Sequence, residues 1–198
     1  MIKKAEKDAL DAAEKEKKEA EARQLKSKAA ITISVLALTM IAVQYVSNQQ
    51  SKISSGAGAA TTNSYNFFQA KNARQAIHVV ALDTLKSQTM SPNLTPNQRV
   101  FLDGKIEEYT QKIQRYASDP ATGEGKKELL EEAKRQQAVA AVASKKNAWF
   151  GFAQSSLQIA IVIASSAFIA GASSFFVLSY IVGAVGVFLA LNGWFLFF

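Results

Sequence analysis

Residues 149–198 run almost without interruption through apolar side chains and contain no Asp, Glu, Lys or Arg. A soluble helix buries one stripe and turns charge to water on the other, so so long an uncharged stretch predicts two membrane-crossing helices in a hairpin. They are placed at 148–171 and 174–198, around a turn at Gly171, Ala172, Ser173 and Ser174. A third apolar run, 29–47, has Thr32, Ser34, Thr39 and Gln44 as its polar residues before the closing Ser47, and the first three can bond back to their own helix. It follows a long charged segment and exceeds the apolar core of a signal peptide, so it reads as a retained anchor.

Between these runs the pattern is polar and helical. In 1–28, Asp11 with Lys15, Glu14 with Lys18 and Glu19 with Arg23 each set an acid four residues before a base, the favourable order on a helix. Ile2, Ala5, Ala9 and Ala12 open a heptad-like stripe that then meets Glu16 and Glu19, so a solvated charged helix is the plainer reading beside a coiled coil. No Pro or Gly falls between Lys3 and Ser47, and this helix is expected to run on into the first span. In 48–63, Gly56 and Gly58 among Ala, Ser and Thr read as a flexible joint.

The remaining block, 64–147, reads as a helical extramembrane region. Its first helix has Ala70, Ala73, Ile77, Val80, Ala81 and Leu85 on one side and stops at Met90, Ser91 and Pro92. Its second opens at Thr95, Pro96, Asn97 and Gln98, a capping box with proline at the first helical position. Leu102, Ile106, Tyr109, Ile113 and Tyr116 then step by fours and threes, a packing seam that meets either the same protomer or a neighbouring copy. Asp119, Pro120 and Gly123 end it, and a third helix from about Glu124 should continue into the second span as one rod. The fold class is therefore an all-α integral membrane protein, three transmembrane helices with a helical extramembrane region and long helices continuous with the spans.

With three spans, Gln44, Gln154, Gln158 and Asn192 fall toward one membrane face with Trp149 and Trp194. The amides either form an interhelical hydrogen-bond cluster or mark the interface, and the indoles suit an aromatic belt. Small residues recur every four positions, at Ser156, Ala160 and Ala164 and at Ser179 with Gly183 and Gly186 with Ala190, which allows close helix approach. Arg23, Lys26 and Lys28 outnumber Lys52 across the first span, which puts the N-terminus in the cytoplasm and 48–147 in the periplasm of a multi-pass inner-membrane protein. Lys145 and Lys146 pull the other way.

Composition adds exclusions. The net charge of +7 is spread over the polar blocks, which suits an anionic membrane surface; no compact basic patch with interleaved aromatics points to nucleic acid. The chain has no cysteine, which removes disulfides and thiolate chemistry. His78 is the single histidine and reads as a packing or surface residue, so no metal site, cofactor or catalytic residue is expected. Glu107 with Glu108 and Glu131 with Glu132 are neighbours that diverge around a helix rather than converge on a substrate. The spans lack ionisable groups, which argues against proton-coupled transport or voltage sensing.

The run Asn63, Ser64, Tyr65, Asn66, Phe67, Phe68, Gln69, Ala70, Lys71 lies after a charged helix and a first span and before a helical loop and a hairpin of spans. In that setting it resembles the bacterial membrane family designated domain of unknown function 4337. There an aromatic-rich segment ends in Gln-Ala-Lys and is usually opened by Trp; here Tyr65 stands in the Trp place and Phe68 where Tyr is common. The resemblance implies three spans and carries no activity. Position near the membrane suggests that Phe67, Phe68 and Ala70 pack against the rod entering the second span, with Gln69 and Lys71 at lipid head groups. The function expected is a structural or scaffolding homo-oligomer in the lipid bilayer, not an enzyme; the alternative is a subunit of an oligomeric channel or transporter with an uncharged lining.

Overall fold

The computed structural model describes residues 2–170 and 173–197, with side chains described for 13–169 and 174–197. Four helices account for the order: α1 Ile2–Thr89, α2 Pro96–Ala117, α3 Lys126–Ala170 and α4 Ser173–Phe195, with no strand among the described residues. Three of them, α1, α3 and α4, are long and apolar enough to cross a membrane. The turn expected at 171–174 has Gly171 and Ala172 outside the described residues, and the side chains of Ile2, Ala5, Ala9 and Ala12 lie outside them too.

The chain divides into two compact units, one of 1–52 with 143–198 and one of 53–142. In the first, the apolar parts of α1, α3 and α4 pack around Val43, Phe150, Ala153 and Leu157, and a second cluster joins Ala29, Ala167 and Phe176. The small-residue ladders meet here. Ala153, Ala160, Ala164 and Ala167 on α3 are fully buried, as is Ser179 on α4. Such close approach leaves room for polar bonds between helices: Ser179 Oγ donates to the Ala160 carbonyl at 2.8 Å and Ser156 Oγ to the Val182 carbonyl at 2.9 Å. On α1, Thr32, Ser34 and Thr39 donate to the carbonyls of Lys28, Ala30 and Val35, so none of these hydroxyls is left bare among apolar neighbours. Thr32 also meets the Tyr180 hydroxyl at 2.9 Å, and Ser47 donates to Asn147 Oδ1 at 2.8 Å.

The second unit comprises the later part of α1, all of α2 and the start of α3. The flexible joint expected at 48–63 is corrected: the whole of it is helix within α1. Gly56 and Gly58 each cost about 1 kcal/mol in a helix, but packing decides. Ala57 and Ser64 are buried, and Ser54 Oγ donates to the Ala140 carbonyl of α3 at 3.3 Å. Thr61 and Thr62 close their hydroxyls onto the carbonyls of Ala57 and Gly58.

Along this part of α1 the shielded positions include Ser54, Ala57, Thr61, Ser64, Phe68, Lys71, Gln75, His78, Leu82 and Leu85, which alternate by three and four along one face. That face is mostly small or polar. The apolar side read from the sequence behaves otherwise: Ala70, Ala73, Ile77 and Val80 are exposed and only Ala81 and Leu85 are partly covered. Threes and fours of any residue type make a helix face, and α2 and α3 selected the face whose side chains were short enough to pack or able to bond.

α2 starts as its residues require. Thr95 caps it, accepting from the Gln98 backbone N–H, while the Gln98 side chain accepts from the Thr95 N–H at 2.9 Å, with Pro96 opening the helix.

Candidate functional site

The seam of α2 finds its partner within the protomer. Leu102 is buried and Ile106, Tyr109, Ile113 and Tyr116 are partly buried. His78 of α1 stacks on Tyr116 with ring centroids 5.5 Å apart and lies tilted to Tyr109 at 5.1 Å. Gln75 Nε2 donates to the Ile113 carbonyl at 3.0 Å. His78 is thus a packing residue between two tyrosine rings, with no carboxylate or nucleophile among these contacts.

One turn before Gln75, the motif residues reach the loop between α2 and α3. Lys71 Nζ donates to Glu124 Oε2 at 3.1 Å and stands 5.7 Å from the Tyr116 ring centroid, a cation held by a carboxylate and an aromatic face together. The Lys71 side chain is only 19% exposed while Glu124 is 68% exposed, so the lysine is shielded and its carboxylate partner faces solvent. Asn72 Oδ1 accepts from Lys126 Nζ at 2.9 Å.

This corrects the expectation that the motif begins a helix and offers Lys71 to lipid head groups. The motif lies inside α1, and the Lys71 ammonium is engaged by Glu124. Phe68 is half-buried on the packed face; Phe67, at 61% exposed, and Gln69 and Ala70 face outward. A groove of about 400 Å³ opens beside it, with Phe67, Arg74 and Leu129 among its walls.

The loop that presents Glu124 is built around Asp119 and Gly123 with Ser118, Gly125 and Glu128, three groups that the sequence pattern did not single out. Glu128, in the first turn of α3, accepts from Ser118 Oγ and from the Asp119 N–H, tying the end of α2 to the start of α3. The Ser118 bond, ahead of the others, holds the Glu128 carboxyl below its ordinary value. Asp119 is likewise lowered, by Thr122 first and then by Arg115, which donates to it at 3.1 Å. Gly123 adopts a positive φ of 72°, and Gly125 is buried with backbone and carboxylate against its Cα. Two glycines flanking one glutamate, just after Asp-Pro, was the readable signal for this turn.

On α2, Lys105 and Lys112 both bond Glu108, at 2.7 and 2.6 Å, and hold its carboxyl down at about 2. A folded-state value below the usual 4.5 means that the unfolded chain takes up the proton first as pH falls. Stability from this trio is therefore complete above about pH 4.5 and is lost between there and about pH 2. Melting temperatures followed from pH 5 to 2.5 should fall, and Glu108→Gln should remove part of that fall; an unchanged acid profile in the variant would refute the assignment.

The four amides grouped by the sequence do not share one environment. Gln44 is exposed and donates to Asn48 Oδ1 on its own helix at 3.4 Å. Gln158 is also exposed, whereas Asn192 is fully buried and Gln154 is half-buried with its Nε2 enclosed and unbonded. Among the described residues no three His, Cys, Asp or Glu side chains gather as a metal site would need.

The family described as Domain of unknown function (DUF4337) matches residues 25–196 of the chain. No curated protein and no solved structure matches it.

Proposed function

Because the chain belongs to the family described as Domain of unknown function (DUF4337), whose description carries no activity, we propose a role from its build: a structural homo-oligomer of the membrane. Three helices supply the membrane part, and their outward sides are rich in large apolar residues such as Leu38, Ile41, Val162 and Ile181. With Arg23, Lys26 and Lys28 retained in the cytoplasm, residues 48–147 lie in the periplasm.

The observation that carries self-association is the outer side of α1 in the 53–142 unit. Phe67, Ile77 and Val80 are 61%, 67% and 66% exposed there, beside exposed Ala70 and Ala73. Ala70, Ala73, Ile77 and Val80 follow the three-and-four spacing of a helix-packing face, and exposed apolar residues gathered on one side of a helix mark an association surface. Small residues at its centre allow two helices to come close.

The chain contains no cysteine, so a single introduced one reports without background. Ile77→Cys oxidised in native membranes should yield a species of twice the monomer mass, and Gln111→Cys, on an exposed part of α2, should not. A wild-type monomer by native mass spectrometry, with no cross-link at Ile77 or Val80, would refute the proposal.

A further inference from the structure

We infer that the 1–52 and 143–198 unit carries a binding site for an anionic phospholipid at the end where α1 leaves the apolar bundle. Leu25 packs on the tight cluster of Ala29, Ala167 and Phe176, which fixes α1 against α3 and α4 at that point. One turn further out, α1 and the last turns of α3 leave a groove of about 390 Å³. Lys18, Glu21, Leu25 and Lys26 line it from α1, and Phe168 and Ile169 from α3.

The two walls differ in kind. The α3 wall is apolar, with Phe168 41% and Ile169 85% exposed, and 149–198 contains no charged residue that could neutralise a lysine across the groove. The α1 wall is charged, with two lysines to one glutamate. Lys18 is shared with Glu14 at 2.7 Å and Glu21 also faces the groove, whereas Lys26 stands near Arg23 and Lys28 in a stretch, Ala22 to Lys52, that has no acid.

A free phosphate would use the lysines and leave Leu25, Phe168 and Ile169 wet. A zwitterionic lipid such as phosphatidylcholine would use the apolar wall but bring a choline cation beside Lys26 along with its phosphate. An anionic phospholipid satisfies both, its phosphate at Lys26 and Lys18 and its first methylenes along Ile169 and Phe168. This rests on the membrane reading above and not on self-association.

The test is native mass spectrometry of the full chain released from detergent with added phosphatidylglycerol or phosphatidylcholine. Wild type should retain phosphatidylglycerol several-fold more tightly. Lys26→Gln should weaken it roughly fivefold, as expected for one basic residue at an anionic surface. Lys18→Gln with Lys26→Gln should abolish the preference, Lys26→Arg should keep it, and Lys86→Gln, in the other unit, should change nothing. Phe168→Ser should weaken both lipids, and millimolar inorganic phosphate should displace neither. Equal retention of the two lipids by wild type, selectivity that survives the double variant, or displacement by phosphate would each overturn the site. A chain that stays dispersed without detergent would instead overturn the membrane reading, so the two failures are distinct.

Discussion

Replacing Gly125 by alanine is expected to destabilise the 53–142 unit by about 3 kcal/mol, the upper part of the range for forcing atoms into a packed site. A Cβ there would run into Glu128 Oε2 and the Asp119 nitrogen, with the Ser118 Cα only 2.6 Å away. Two of those three obstacles are backbone and cannot rotate aside. The third is the carboxylate that ties α2 to α3, so moving it breaks the bonds from Ser118 and Asp119 as well. Thermal unfolding in detergent, followed by far-ultraviolet circular dichroism, should shift down by roughly 6–12 °C. Two glycines calibrate the reading. Gly123→Ala meets no atom within 4 Å but must hold φ at 72°, which should cost about 1 kcal/mol. Gly104→Ala lies in open space on α2 and should stabilise by about 0.8 kcal/mol. If Gly125→Ala melts no lower than Gly123→Ala, the crowded turn is not what holds α2 to α3.

The second large effect is expected in the apolar bundle. At Gly186 of α4 a Cβ would lie 2.9 Å from Leu157 Cγ and 3.3 Å from the Ala153 carbonyl oxygen. Leu157 is fully buried, and Ala153 beside it presents backbone, so neither can give way without α3 and α4 separating. Between helices in lipid there is no water to expel, and close van der Waals contact carries association. Gly186→Val should therefore cost about 2–3 kcal/mol, and the separation should also lengthen the Ser156 and Ser179 bonds to the facing helix. Gly151→Ala, with open space around it, serves as the control on α3. Resistance to unfolding in increasing concentrations of a harsh detergent is the measurement; equal resistance of Gly186→Val and wild type would refute the close-contact account.

The helices long and apolar enough to cross a membrane, the capping box of α2 and its seam were legible because each is a local pattern. An uncharged run, a Thr-Pro-x-Gln start and apolar residues at threes and fours mean much the same wherever they occur. The family resemblance was legible in residues 63–71 for the same reason. The candidate site was not. Lys71 read as a contact for lipid head groups because its partner, Glu124, lies 53 positions away and is placed by a turn whose geometry depends on Gly123 and Gly125.

The sequence by itself determined the all-helical class, the three helices long and apolar enough to cross a membrane and the hydroxyls that close on their own carbonyls. Each follows from nearest-neighbour chemistry along one helix. Only the tertiary structure decided which side of α1 is covered. Hydrophobicity favoured Ala70, Ala73, Ile77 and Val80, yet α2 and α3 took the Ser64, Lys71, Gln75 and His78 side. There the tyrosine rings of α2 accept His78 and the loop carboxylate accepts Lys71, so polar groups could be covered while bonded or stacked. The same packing made 48–63 helix where its glycines alone would have left a joint, because Ala57 is buried and Ser54 bonds the Ala140 carbonyl, contacts that no local pattern reveals.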